Sequence, residues 1–397
     1  RLATHRTCAM PLGMFISGSM PDPAMSTDTK SVSPNVSAQP VDVAAGDASR
    51  RLARISSTVQ QLSARIAHGA TVADLRSAAL QADALVATLR LGGAGIELTM
   101  DLVSELNDQL LVRLWQLLAP AELIRNSCLI VMGSEGRGEQ TLKTDQDNAL
   151  LLREAYRFDG IAALAESFTA GLLDFGYPLC PGGIMLSNPH WRQHPSEFRE
   201  AIGRWCHGPD ADGTMQLAIL MDARALAGDA SLLDDAKRHL WSILPDSDAF
   251  LARFVSPVAQ FDHSASGWWH WLSLRHDDHR QVVDLKKSGS FQIVHGVRAL
   301  ALKHHVDAPS TRARLRALVE HHGLPPALAR DLRDALHLLI GLRLDHHLRQ
   351  RRLGQPADNL VEFRDLGTLE HAQLDCAVGI VKDFRKYLQL HCPFEML

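Results

Sequence analysis

An α+β fold is predicted from three features of the chain. Short apolar runs at 129–132 and 149–152 flank a polar connector containing glycines, as two buried strands joined through a turn would. Before residue 120 and after residue 241, apolar side chains recur at three- and four-residue intervals, the period of amphipathic helices. Between these flanks, strand-like and helical runs alternate. The expected organisation is a disordered segment over 1–46, a helical segment over 47–120, a mixed core over 121–240 and a helical domain over 241–397.

Residues up to about Gly46 are rich in Ser, Pro, Ala and Asp and show no sustained period, which predicts disorder. From Ala48, the residues Leu52, Ile55, Val59, Leu62 and Ile66 mark one helix face, and Gly69 offers a C-terminal cap. Thr71 with Asp74 is a capping box for a second helix carrying Leu75, Leu85 and Leu89 and stopped by Gly92-Gly93. A third helix runs from about Thr99 through Val103, Leu106, Leu110, Leu114 and Leu117 to Pro120. The glycine breaks favour an intramolecular bundle over a dimerising coiled coil.

In the core, residues 158–175 have helical period and 184–186 read as a further strand. Trp191, Arg192, Phe198, Arg199, Arg204 and Trp205 interleave aromatic and basic groups, which stack on a base or, more often at helical spacing, pack a core under arginine stems. Beyond Trp241, Leu332, Leu336, Leu339, Ile340 and Leu344 line a long helix, and Thr368 opens a final one.

The chemistry concentrates in GSEGRGEQTLKTDQDNALLL. Gly133 and Ser134 end the first apolar run, where the chain turns into a helix and its N–H groups are free to seat phosphate. Ten residues lie between Ser134 and Asp145, and Asp147 follows two further on, so that both carboxylates project from one face before the second strand. Arg137, about one turn after Ser134, is placed to grip the same phosphates with its forked guanidinium. Carboxylates that hold Mg²⁺ beside donors that grip oxygens are the requirement of phosphoryl and nucleotidyl transfer.

Other classes are disfavoured. A net charge of −4 gives no overall basic footprint for nucleic acid, and no apolar run approaches the length of a membrane span. The six cysteines are scattered without a CxxC pair, which predicts a reduced, cytoplasmic chain. Twenty histidines include His276, His279 and the pairs at 304–305, 321–322 and 346–347. Adjacent histidines on a helix point about 100° apart, so surface or interhelical positions are expected rather than a metal centre.

This central motif resembles the signature of the nucleotidyltransferase-type domain found beside CBS and cyclic-nucleotide-binding domains in bacterial signalling proteins, a branch of the DNA polymerase β superfamily. Relatives include protein-PII uridylyltransferase and the adenylyltransferase of glutamine synthetase. The likeness extends to GYPLCPGGIMLSNPHW at 176–191, LMDARALAGD at 220–229 and DLKKSG at 284–289. The resemblance implies a polymerase β-like core with N-terminal helices and a C-terminal helical bundle, phosphate contacts by Gly133 and Ser134, metal binding by Asp145 and Asp147, and a nucleotide-binding Lys286. It further implies an NTP substrate, Mg²⁺, and a protein acceptor or signalling partner. The superfamily commonly uses a third carboxylate. Asp174 and Asp222 are the available candidates, with an end cap or an ion pair to Arg224 as the alternative role for Asp222. The expected reaction is transfer of an NMP from an NTP to a hydroxyl; the alternative is a catalytically weak module that senses nucleotide.

Overall fold

The computed structural model describes residues 41–208, 211–258 and 282–392. The chain is a mixed α+β protein built largely of helix, with a small mixed sheet and a helical C-terminal region. Residues 1–40 of the segment expected to be disordered, His276 and His279 lie outside the described residues. Over 41–46 the expectation is corrected. Helix α1 spans Val41–His68, so helix begins before the expected boundary.

Helix α2 (Val72–Leu91) starts where the sequence places it, because Thr71 accepts from the Asp74 N–H while the Asp74 carboxylate accepts from the Thr71 N–H. Such a cap stabilises a helix by about 1 kcal/mol. Gly92 ends it, and α3 (Ile96–Leu118) returns against α2 and buries Leu106, Leu110, Leu114 and Trp115. The buried face of α3 therefore belongs to an intramolecular core.

After the short α4 (Ala121–Arg125) come β1 (Ser127–Val131), α5 (Gly133–Gly136) and β2 (Asn148–Leu152). Every residue of β1 and β2 is buried, which explains why they read as continuous apolar runs rather than alternating ones. Helix α6 (Ile161–Asp174) leads into a looped segment, then β3 (Arg192–Gln193), α7 (Pro195–His207), α8 (Ala211–Met221) and β4 (Arg224–Gly228). The sheet order is β3-β2-β1-β4, with β1 antiparallel to β2 and β4, and β2 parallel to β3. Residues 184–186 are not a strand. The Ile184 carbonyl accepts from Asn148 N and the Leu186 N–H donates to Asn148 Oδ1, so a side chain takes the place of a ladder partner. Trp191, Phe198 and Trp205 are buried against one another with ring centroids 5.5–6.5 Å apart, which settles them as core rather than a base platform.

Helices α9 (Ser231–Ile243) and α10 (Asp248–Val255) complete the first part of the chain. The C-terminal part contains β5 (Val282–Asp284), a π-helical turn over Lys286–Ser290, α11 (Phe291–Lys303), α12 (Thr311–Glu320), α13 (Pro326–Arg352), β6 (Leu360–Glu362) and α14 (Thr368–His391). Strands β5 and β6 pair antiparallel, an element absent from the all-helical expectation. The paired histidines have structural places: His305 (φ 53°) and His322 (φ 56°) adopt the left-handed conformation that ends α11 and α12. There the following N–H groups return to Ala301 O and Leu318 O. No described helix is long and apolar enough to cross a membrane.

Candidate active site

The turn after β1 is shaped for close approach. Gly133 has φ +56°, and a Cβ on it would overlap Asp147 Oδ2. Only glycine meets both demands, so the first-turn N–H groups of α5 and the Asp147 carboxylate share one small space. Asp145 and Asp147 precede β2 in extended chain and remain partly exposed, while Gln146 between them is fully buried. The Gln146 side-chain amide donates to the carbonyls of Thr169 and Tyr177, and its backbone N–H donates to Pro178 O. Ser134 is held from beneath: Asn107 donates to Gln140 (2.8 Å), Gln140 donates to Thr144 (2.9 Å), and the Thr144 and Ser134 hydroxyls lie 3.1 Å apart.

Burial pushes the Asp147 carboxyl up to about 6, and the neighbouring Asp145 charge adds to the rise. The neighbouring Cys180 thiol, and then the Arg137 and Lys286 charges, act on it in the opposing direction. Lys286 comes from the far end of the chain, exposed at the start of the π-helical turn, and Asp284 Oδ1 accepts the N–H groups of Lys286 and Lys287. The structure thus sets Gly133 against Asp147, with Asp145 and Lys286 near enough for their charges to act on that carboxylate.

Arg137 is near enough for its charge to act on Asp147 but is committed to other carboxylates, and the two further carboxylate candidates have partners of their own. The Arg137 guanidinium donates to Asp222 Oδ2 (2.6 Å) through Nη1 and to Glu139 Oε2 (2.6 Å) through Nε, so nitrogens expected to grip phosphate are bonded to protein carboxylates. Asp222, 0 % exposed, also accepts from Arg298 and from Arg314 Nη1 (2.8 Å), and these guanidinium groups hold its carboxyl far below its ordinary value despite burial. A carboxylate enclosed by three arginines is no metal ligand, and its expected alternative partner, Arg224, instead forms a double hydrogen bond with Asp108. Asp174 pairs at the surface with Arg76 (3.0 Å).

Two residues were missed in the sequence. Cys180 sits in a proline-glycine loop and gives no signal of its own. Glu135 looks like a solvated residue of a turn, yet it is buried beneath that turn with Oε1 lacking a hydrogen-bond partner. Burial pushes its carboxyl up to about 8, with Asp108 and Asp147 adding to the rise and Arg224 opposing it. Glu135 is therefore protonated at neutral pH. Between its ordinary value of 4.5 and about 8 the folded chain keeps a proton that the unfolded chain releases, so stability falls as pH rises through that window. Glu135→Gln is expected to flatten this part of the profile in urea unfolding measured from pH 5 to 8; an unchanged slope would place the proton elsewhere.

Among the described residues no group of three His, Cys, Asp or Glu side chains is placed to hold a metal ion. Asp145 and Asp147 nevertheless suit a hard divalent cation, because Mg²⁺ is commonly held by one or two carboxylates and completes its shell from phosphate oxygens and water. Residues 80–212 match the family model described as "Putative nucleotidyltransferase DUF294", which contains the Gly133–Asp147 turn. Residues 248–392 match the model described as "Putative nucleotidyltransferase substrate binding domain", which contains Lys286, Arg298 and Arg314. No curated protein matches the chain. The chain therefore matches, in succession, two family models that describe nucleotidyltransferase domains, with the Gly133–Asp147 turn in the first matched region and Lys286 in the second.

Proposed function

We propose that the protein is a Mg²⁺-dependent nucleotidyltransferase that moves an NMP from an NTP to a hydroxyl on a protein or small molecule, in signalling and in the manner of protein-PII uridylyltransferase. The observation that carries the reading is the contact between Gly133 and Asp147, which sets phosphate donors against a partly buried carboxylate beside a second one. First-turn N–H groups and Ser134 would orient the triphosphate, and Lys286 would offset its charge. Asp145 and Asp147 would hold the cation. When bound, Mg²⁺ neutralises phosphate oxygens and favours loss of the acceptor proton. The acceptor oxygen bonds to the α-phosphorus, the bond from that phosphorus to the bridging oxygen breaks, pyrophosphate departs with the electron pair, and the hydroxyl proton passes to solvent.

Two carboxylates alone make cation affinity dependent on the nucleotide's own oxygens. Because a ligating carboxylate must be ionised, Mg²⁺-dependent NTP binding is expected to weaken about tenfold per pH unit below the Asp147 value of about 6. Calorimetric titration from pH 5 to 8 checks this, and a flat profile would remove Asp147 from the site.

A second reading, a nucleotide sensor without efficient turnover, draws support from the loss of Asp222 and Asp174 as third carboxylates. Incubation of the purified protein with each labelled NTP, Mg²⁺ and cell lysate separates the two. Label on an acceptor with release of pyrophosphate is the expected result; NTP binding with no pyrophosphate from any nucleotide would favour the sensor.

A further inference from the structure

Asn107 shares its buried face of α3 with Val103, Leu110 and Leu111, and Gln140, in the connector after α5, is buried as well. Two amides in such a place carry a desolvation cost that a pair of apolar side chains would avoid. Hydrogen bonds offset it, and they run in one direction. The Asn107 amide N–H donates to Gln140 Oε1 (2.8 Å), and the Gln140 amide N–H donates in turn to Thr144 Oγ1 (2.9 Å). An amide nitrogen is a donor only, so the Thr144 hydroxyl is the acceptor of that bond.

A threonine hydroxyl has a single proton to give. Among the described residues the other partner of Thr144 Oγ1 is Ser134 Oγ, 3.1 Å away, so the Thr144 proton goes to Ser134. Ser134 Oγ is then the acceptor of this last bond, and its own proton is left over. Among the described residues no further group bonds to the Ser134 hydroxyl. Ser134 is partly exposed and directly follows Gly133, the residue against which Asp147 lies. The four side chains therefore have a polarity, amide to amide to hydroxyl to hydroxyl, with the final proton turned away from them.

We propose that Asn107, Gln140 and Thr144 are positioning residues that fix the Ser134 hydroxyl as a hydrogen-bond donor to the ligand. They touch no ligand themselves. A hydroxyl free to rotate presents lone pairs as readily as its proton, and lone pairs repel an anionic oxygen, so an orientation set in advance removes that competition. The device selects a ligand atom that accepts without donating, an ionised oxygen, over an ammonium group. It rests on the transferase reading for the identity of that ligand, an NTP.

ATP, GTP, CTP and UTP, each with Mg²⁺, are titrated into the full chain by calorimetry, and the tightest binder is carried through the variants. Ser134→Ala is expected to lose about tenfold in affinity, as removal of one hydrogen bond to a charged group would do. Thr144→Val and Gln140→Met are each expected to lose about threefold with Ser134 present and nothing further in the Ser134→Ala background. Thr144→Ser, which keeps the hydroxyl, should bind as wild type does. A merely structural role would weaken binding equally in both backgrounds, so equal losses would overturn the proposal. Wild-type affinity in Ser134→Ala, or in both Thr144→Val and Gln140→Met, would overturn it too. If Gln140→Met fails to fold because Asn107 loses its acceptor, the cycle of Thr144→Val with Ser134→Ala decides alone. Binding with the expected coupling but no NMP transfer would leave the positioning role standing and sink the transferase reading. NMP transfer without the coupling would do the reverse, and no binding of any of the four nucleotides would sink both.

Discussion

Replacing Asp222 by asparagine is expected to destabilise the protein by about 3–5 kcal/mol, the cost typical of removing one partner from a buried ion pair. The reason is the asymmetry of the cluster: one carboxylate, wholly enclosed, satisfies hydrogen bonds from Arg137, Arg298 and Arg314. Without it these cations face one another across a dry space, with Glu139 the nearest remaining anion for Arg137. Since domains are commonly stable by only about 5–15 kcal/mol, such a loss is a large share of the total. Equilibrium urea unfolding measures it. The double replacement of Asp222 by Asn and Arg314 by Met should cost less than the sum of the single changes, because removing one cation relieves part of the repulsion. A single Asp222→Asn variant within about 1 kcal/mol of wild type, well below the buried-pair range, would contradict this role.

The second large effect is on chemistry. Asp145→Asn or Asp147→Asn is expected to lower NMP transfer by about a hundredfold or more, which corresponds to about 3 kcal/mol of transition-state stabilisation. Folding should respond in the opposite sense at Asp147. Its carboxyl titrates higher in the folded chain than its ordinary value, so its charge opposes folding at neutral pH, and Asp147→Asn should melt no lower than wild type. Together these results would mark a residue kept for ligand binding at the expense of stability. Retention of wild-type metal and nucleotide affinity in both variants would show that the site is elsewhere.

What could be read from the chain beforehand followed sequence distance. Gly133, Ser134, Asp145 and Asp147 lie within fifteen residues, so one turn between two strands places them and their spacing carries the information. The Thr71-Asp74 cap and the Gly92 stop were legible for the same reason. The buried partner of Arg137, Asp222, was not legible because it is 85 positions away, and nothing within one helical turn reveals that this carboxylate will be buried beside it. Glu135 was missed because a turn residue flanked by glycines looks solvated until α3 and β4 bring Asp108 and Arg224 against it. Strands β5 and β6 are three residues each and pair across more than seventy positions, too short for alternation to be recognised.

The charge cluster also bears on how the chain is made. Arg298 and Arg314 follow Asp222 by 76 and 92 residues, so at synthesis rates of about 5–20 residues per second they reach the ribosome exit roughly 4–20 s later. During that interval the nascent first domain holds Asp222 with Arg137 as its only cation of the three, and the surface destined to receive α11 and α12 stays wet. Final closure of the first domain must therefore wait for translation of the second.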